Sequence, residues 1–400
     1  MGMNDAPNSE RIHIGIFGKR NAGKSSLINA LTGQDLAIVS DVAGTTTDPV
    51  SKAMELLPLG PVVLIDTPGL DDEGELGSQR VRSAKRVMNR CDAALLVVDA
   101  REALCPVHEE ITALLQKKNI PYILVYNKSD LAGEITVGDN AMAVSAKTGD
   151  GIWDLKERLS RLVIDPHSGR RLVGDLLEPN DIAVLVVPID SAAPKGRLIL
   201  PQQQTIRDVL ESGACSMVVR ESELTGALTS LSKPPRIVIT DSQAFASVSK
   251  DTPEDIPLTS FSILMARFKG NLHEAVRGVR ALDTLKDGDR ILISEGCTHH
   301  RQCDDIGTVK LPRWIEQYTG KKPEYAFTSG GEFPEDLSPY HMVIHCGGCM
   351  LNEREMKSRM AHAIDEGVPM TNYGIAIAHM HGILARSVAP FPDVAALLED

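Results

Sequence analysis

The sequence predicts an α/β protein of three domains, a larger unit built on a mostly parallel sheet followed by two smaller α/β units. Three observations predict it. The chain of 400 residues is longer than one hydrophobic core usually serves, which favours two or three domains. Short β-branched runs alternate with longer helical patterns, the signature of parallel strands joined by crossover helices. A polar stretch at 167–175, with two Gly and little to bury, interrupts that alternation and reads as a linker. The expected domains are 1–166, 175–265 and 268–400.

In the first domain a strand is expected at 12–17 and a helix from Lys24 to about Leu31. Further strands are expected at 62–65, 94–98 and 122–126, with helices between them and a last helix at 152–163. The second domain has expected strands at 182–189, 217–220 and 236–240 and a helix at 204–211. The loop after its first strand holds neither a phosphate-binding Gly pattern nor G-x-G-x-x-G, so its role is read as architectural. The third domain has expected strands at 290–294, 325–328 and 342–345 and helices at 313–319 and 352–366.

Composition narrows the class. Hydrophobic residues make up 42% and aromatics only 4%, so the cores should be aliphatic. A net charge of −12 without clustered Lys and Arg argues against a nucleic-acid partner. No apolar run reaches the length of a membrane span, and the N-terminus lacks the regions of a signal peptide, so a cytoplasmic protein with no membrane partner is expected. Four of the seven Cys and seven of the eleven His fall in the last 104 residues. In a reducing compartment such a concentration reads as metal ligation before disulfides.

Residues 18–25 fit G-x-x-x-x-G-K-S directly after a strand and open a helix, the context the motif requires. Gly18 and Gly23 let the backbone wrap phosphate, with Asn21, Ala22 and Ser26 in the same cradle. Lys24 reaches the β/γ oxygens, and Ser25 is placed to ligate Mg²⁺. The ordered sequel resembles the P-loop GTPases. Gly44 to Asp48, with Thr45 and Thr46, looks like switch I, Thr46 serving Mg²⁺. Asp66 to Gly69 is the D-x-x-G of switch II, Asn127-Lys128-Ser129-Asp130 the N-K-x-D guanine reader, and Ser145-Ala146-Lys147 its supporting loop. The Asp130 carboxylate can accept two hydrogen bonds from guanine, whereas adenine leaves it unpaired, so GTP/GDP is the expected nucleotide. Lys24, Thr46 and Gly69 are the candidate catalytic positions. Leu70 stands where Ras-like enzymes carry the water-positioning Gln, so intrinsic hydrolysis should be slow. The motif forms resemble the Era/TrmE branch, which implies that Asn21 helps hold K⁺ beside the phosphates.

A second constellation lies near the C-terminus. Cys297, His299 and His300 follow one expected strand, and His345, Cys346 and Cys349 follow another, so both groups sit at strand carboxyl ends, where ligands gather in open parallel sheets. A helix expected directly after Cys349 would turn its N-terminus toward the thiolates and lower their pKa. Gly347 and Gly348 would permit close backbone approach. Three thiolates suit a 4Fe–4S cluster with one iron left open, yet the same residues suit structural Zn²⁺, and a redox C-x-x-C is a third reading. The C-x-x-x-C-x-x-C triplet of radical-SAM proteins is absent.

A GTPase-like domain followed by C-x-H, 46 residues and C-x-x-C resembles the HydF family, with Cys297, His299, Cys346 and Cys349 on its pattern. Segment 188–202 also looks like that family's dimerisation domain. The resemblance implies a 4Fe–4S cluster on Cys297, Cys346 and Cys349 with an exchangeable fourth position, for which His299 and His345 are candidates. It also implies a homodimer that carries a transient diiron subcluster to apo-FeFe-hydrogenase, working with two radical-SAM maturases. Cys303 lies outside the pattern and is read as a spare thiol. The competing reading is an Era/TrmE-like RNA-modification or ribosome-assembly GTPase with a C-terminal zinc site.

Overall fold

The computed structural model describes residues 7–33, 49–69, 75–133, 135–163, 169–189, 198–296 and 305–399. The chain divides into two compact units, 1–168 and 169–400.

The first unit runs β1 (Ile12–Gly18), α1 (Lys24–Thr32), β2 (Val50–Leu56), β3 (Gly60–Asp66), α2 (Glu75–Met88), β4 (Ala93–Asp99), α3 (Pro106–Lys117), β5 (Tyr122–Asn127), β6 (Ala141–Ala143) and α4 (Ile152–Leu162). Its six strands lie in the order β2-β3-β1-β4-β5-β6. All neighbours are parallel except β2, which pairs antiparallel with β3 at one edge. Strands buried on both faces read as near-continuous apolar runs, and β4, with all seven residues buried and its first six apolar, shows this most fully. Successive side chains point to opposite faces. Ile14, Ile16, Leu95 and Val97 therefore pack with Leu27 and Ile28 of α1 and Leu155 and Leu159 of α4. Phe17, Ala94 and Leu96 pack on the other face with Val87 and Met88 of α2 and Ile111 and Leu115 of α3.

The second unit continues with β7 (Ile182–Val186), α5 (Leu200–Glu211), β8 (Cys215–Val219), α6 (Leu224–Ser230), β9 (Ile237–Thr240), α7 (Phe245–Asp251), β10 (Leu258–Ser260), α8 (Phe261–Phe268) and α9 (Leu272–Gly278). It is completed by β11 (Arg290–Glu295), α10 (Leu311–Thr319), β12 (Glu324–Ser329), β13 (Met342–His345), α11 (Glu353–Asp365), β14 (Met370–Asn372), α12 (Tyr373–Met380), α13 (Leu384–Val388) and α14 (Pro392–Ala395). Two four-stranded parallel sheets, β10-β9-β7-β8 and β12-β11-β13-β14, share one continuous core that runs from Leu172 to Val394.

The polar stretch expected to have little to bury does not end as a free linker. Leu172 and Val173 are buried in the core of the second unit. The Asp208 carboxylate on α5 accepts the backbone N–H groups of Val173 and Gly174 at 2.8 and 2.7 Å. Arg170 pairs with Glu353 at the start of α11, and Arg267 pairs with Asp175. Two apolar side chains within a charged stretch are enough to dock it when buried N–H groups also find a carboxylate.

Candidate functional sites

The phosphate loop is fixed by what its glycines exclude. Gly18 ends β1 at φ +148°, and a Cβ there would collide with the Val97 carbonyl oxygen of β4. Gly23 precedes α1 at φ +88°, where a Cβ would strike the Asn127 side chain. Both positions demand glycine for conformation and for space. The buried Lys24 ammonium donates to the Gly18 carbonyl at 3.0 Å and the Lys19 carbonyl at 2.7 Å, so the loop wraps around the cation meant for phosphate. Gly69 of D-x-x-G touches the same loop, since a Cβ there would lie 2.7 Å from the Arg20 nitrogen.

Ser25, in the first turn of α1, donates its hydroxyl to Asp66 Oδ2 at 2.8 Å. Burial pushes the Asp66 carboxyl up, opposed by the Ser25 hydrogen bond and then by the Lys24 charge. Among the described residues Asp66 Oδ1 is buried without a hydrogen-bond partner. An orphaned carboxylate oxygen beside a serine hydroxyl fits a hard cation bound with phosphate, as Mg²⁺ is in such sites. Ser26, half-buried in the same turn, completes the loop.

The guanine-reading motif is tied to the phosphate loop by direct bonds. Asn127 donates to the carbonyls of Ala22 and Gly23 at 3.1 and 3.3 Å, and its Oδ1 accepts from the Ala146 N–H at 3.0 Å. One amide side chain thus joins three motifs that lie far apart in sequence. The Ser145 hydroxyl donates to Asp130 Oδ1 at 2.6 Å, which orients the carboxylate that would face guanine N1 and N2. Lys128, at φ +65°, donates to the Asn21 carbonyl at 2.6 Å and to Asp99 Oδ2 at 2.8 Å. Lys147 is exposed beside them.

Asp99 and Arg101 were not singled out from sequence, although a charged pair at the end of a wholly apolar strand was a visible signal. Arg101 grips Asp99 through Nε and Nη2 at 2.9 and 2.7 Å, and those hydrogen bonds, with Lys128 adding to them, hold the Asp99 carboxyl well below the usual range. Gly44, Thr45, Thr46, Asp48 and Leu70 lie outside the described residues.

In the second unit β11 and β13 are adjacent and parallel, in a register that sets Ser294 opposite His345. The residue following each strand end therefore emerges at the same edge. Gly296 donates its N–H to Cys346 Sγ at 3.0 Å, Gly348 donates to the same sulfur at 3.3 Å, and Cys346 N–H is held by the Ser294 carbonyl at 2.8 Å. Cys297, His299, His300 and Cys303 lie outside the described residues, and Gly296 is the neighbour of Cys297 in sequence. Gly348 sits at φ +60°, and a Cβ there would lie 2.5 Å from Met356 Sδ, whereas a Cβ on Gly347 would meet nothing within 4 Å. Only Gly348 is required by close approach.

One expectation is corrected here. The helix after Cys349 begins at Glu353, and the Asn352 side chain accepts the Glu355 N–H as its cap, so the helix is not set directly against the thiols. Burial and then the neighbouring Cys346 push the Cys349 thiol up, against the charge of Lys269 and the N–H groups of Cys349 and Met350. His345 is fully buried with both ring nitrogens engaged. Arg359 can only donate, so its 3.0 Å contact makes His345 Nε2 the acceptor, and Nδ1–H donates to the Cys346 carbonyl at 2.7 Å. With both nitrogens engaged, the ring braces the cysteine loop in this structure. Arg359 also donates to the Gly330 carbonyl and to Glu355 at 2.8 and 2.6 Å.

Among the described residues no group of three or more His, Cys, Asp and Glu could hold a metal ion. The described pair, Cys346 and Cys349, has the chemistry of soft-metal ligands, and backbone N–H groups directed at a cysteine sulfur are a recurrent feature of iron–sulfur sites. The two thiols therefore fit such a cluster as part of its ligand set.

Comparison with known proteins places these features. A hydrogen maturase F dimerization-domain model matches residues 172–270, and a hydrogen maturase F tetramerization-domain model matches 273–390. A 50S ribosome-binding GTPase model matches 13–128, so the first unit is a P-loop GTPase domain. The chain is 40% identical over 158 residues to the tRNA modification GTPase MnmE of Xanthomonas euvesicatoria, covering 38% of this chain and 34% of that protein. It is 39% identical over 165 residues to MnmE of Chromobacterium violaceum, covering 38% and 35%. The chain thus spans about a third of the length of these curated relatives. Among solved structures, Era of Aquifex aeolicus shares 21% identity at a TM-score of 0.35, over 52% of this chain and 93% of that one.

The cysteine loop yields one stability prediction. Gly348→Ala forces a positive φ on a side chain that also meets Met356, and should cost the second unit about 1–3 kcal/mol in chemical denaturation. Unchanged stability would show that neither the positive φ nor the Met356 contact constrains this position.

Proposed function

The chain belongs to the hydrogen maturase F family, and from that premise we propose that it is a GTP-switched iron–sulfur scaffold that assembles or delivers a diiron subcluster to apo-FeFe-hydrogenase. The observation that carries this reading is the Gly296 N–H donated to Cys346 Sγ, because it sets the chain just before Cys297 beside the Cys346 and Cys349 loop. We assign the 4Fe–4S cluster to Cys297, Cys346 and Cys349. Its role is to present an exchangeable iron to an incoming ligand. With His345 engaged elsewhere, His299 or an external ligand takes the fourth position.

The nucleotide half acts as the switch. Gly69 packs against the phosphate loop, so a γ-phosphate that draws Thr46 and Gly69 inward and then departs supplies two states. K⁺ held near Asn21 would supply positive charge during hydrolysis. Family domains named for dimerisation and tetramerisation support self-association. The two radical-SAM maturases, the apo-hydrogenase and a cytoplasmic setting follow from the family resemblance, and among the described residues no helix is long and apolar enough to cross a membrane. We take 1–166, 175–265 and 268–400 as the functional division into switch, assembly module and cluster module.

The tRNA-modification reading draws on the MnmE likeness, which covers 38% of the chain, while hydrogen maturase F models cover 172–270 and 273–390. It also asks an acidic chain to bind RNA.

Two measurements test the proposal. GTP turnover should rise roughly tenfold or more when K⁺ replaces Na⁺ at equal ionic strength, and equal rates would remove the potassium assignment. Cys346→Ser should abolish bound iron and sulfide and hydrogenase maturation while leaving GTP turnover within about twofold of the parent. A collapse of turnover along with the iron would refute separable switch and scaffold functions.

A further inference from the structure

Lys269 follows α8, and its backbone N–H closes that helix on the Met265 carbonyl at 3.0 Å. Its side chain is only 4% exposed. Enclosing an ammonium is costly unless dipoles or counter-charges meet it. Here Nζ donates to the carbonyl oxygen of Gly348 and, at 2.8 Å, to that of Leu351. The loop is thus polarised across its thickness. Gly348 turns its N–H toward Cys346 Sγ and its carbonyl toward the lysine.

We propose that Lys269 is a positioning residue that holds the Cys346 to Cys349 loop by its carbonyls and supplies the fixed positive charge that sets the reduction potential of the cluster. This rests on the iron–sulfur reading above. A cluster bound by three thiolates is anionic and becomes more so on taking one electron. A buried cation a few bonds from a ligand sulfur therefore stabilises the reduced form and raises the potential.

The test uses full-length protein prepared anaerobically as the parent, Lys269→Gln and Lys269→Arg. Gln keeps a donor for the carbonyls but removes the charge, and Arg keeps the charge. Iron and sulfide are counted, far-UV circular dichroism checks the fold, and the cluster is titrated with dithionite as electron donor, read by electron paramagnetic resonance. Lys269→Gln should move the reduced-to-oxidised ratio at a fixed potential about tenfold toward oxidised, a fall of ~59 mV for one electron. Lys269→Arg should stay within about threefold of the parent ratio. A folded Gln variant that holds no iron beside an iron-replete Arg variant would overturn the claim on the potential, since the charge would then be needed for assembly instead. A Gln variant at the parental potential would overturn the proposal, and so would equal losses in Gln and Arg. A parent without iron and sulfide would instead overturn the iron–sulfur reading, and this proposal with it.

Discussion

The parallel pairing of β11 with β13 is the constraint on which the cysteine site depends. In their register Ser294 stands opposite His345, so the two strands end at the same edge of the sheet. Cys346 is then held from behind by the Ser294 carbonyl and from the side by the Gly296 N–H. Residues fifty or more positions apart in sequence share one edge because both strands point the same way. An antiparallel pairing would have sent the two strand ends to opposite edges of the sheet.

The nucleotide site follows the same geometric rule on a different sheet. Phosphate loop, D-x-x-G and N-K-x-D all emerge from the carboxyl ends of β1, β3 and β5, the edge where open α/β sheets bind ligands. What distinguishes it is the density of cross-links between the motifs. Asn127 bonds to Ala22, Gly23 and Ala146, and Lys128 bonds to Asn21 and Asp99, so the guanine and phosphate ends form one assembly. Backbone contacts between Gly69 and Arg20 extend that assembly to switch II. Each close approach falls on a glycine that the sequence provides.

Much of this was legible in the residues. Buried parallel strands such as β4 read as near-continuous apolar runs, and the nucleotide motifs carry their chemistry in fixed spacings. The expected strand at 342–345 coincides with β13, and the helix at 352–366 differs from α11 by one residue at either end. Less legible were elements whose stability comes from partners. The edge strand β2 has a half-exposed, mixed pattern and is defined by its antiparallel ladder to β3. The strands β6, β10 and β14 are three residues each, too short for periodicity to register. Leu172 and Val173 are surrounded by charged and polar residues in sequence, and only the fold reveals the core they enter. Candidate ligands were identified by type, but type could not say that Arg359 had already claimed the lone pair of His345. Nor could it reveal Lys269, which lies about eighty residues from the loop it holds.

The proposed function divides labour between a switch that would sense γ-phosphate and a scaffold that would leave one metal corner open. The central claim is the identity of the three sulfur ligands, and it is tested most directly by counting metal and sulfide after anaerobic purification of the parent, Cys297→Ser and Cys303→Ser. The account predicts about four iron and four sulfide per chain in the parent, loss of both in Cys297→Ser, and full retention in Cys303→Ser. Zinc without sulfide in the parent, or a full cluster in Cys297→Ser, would contradict it.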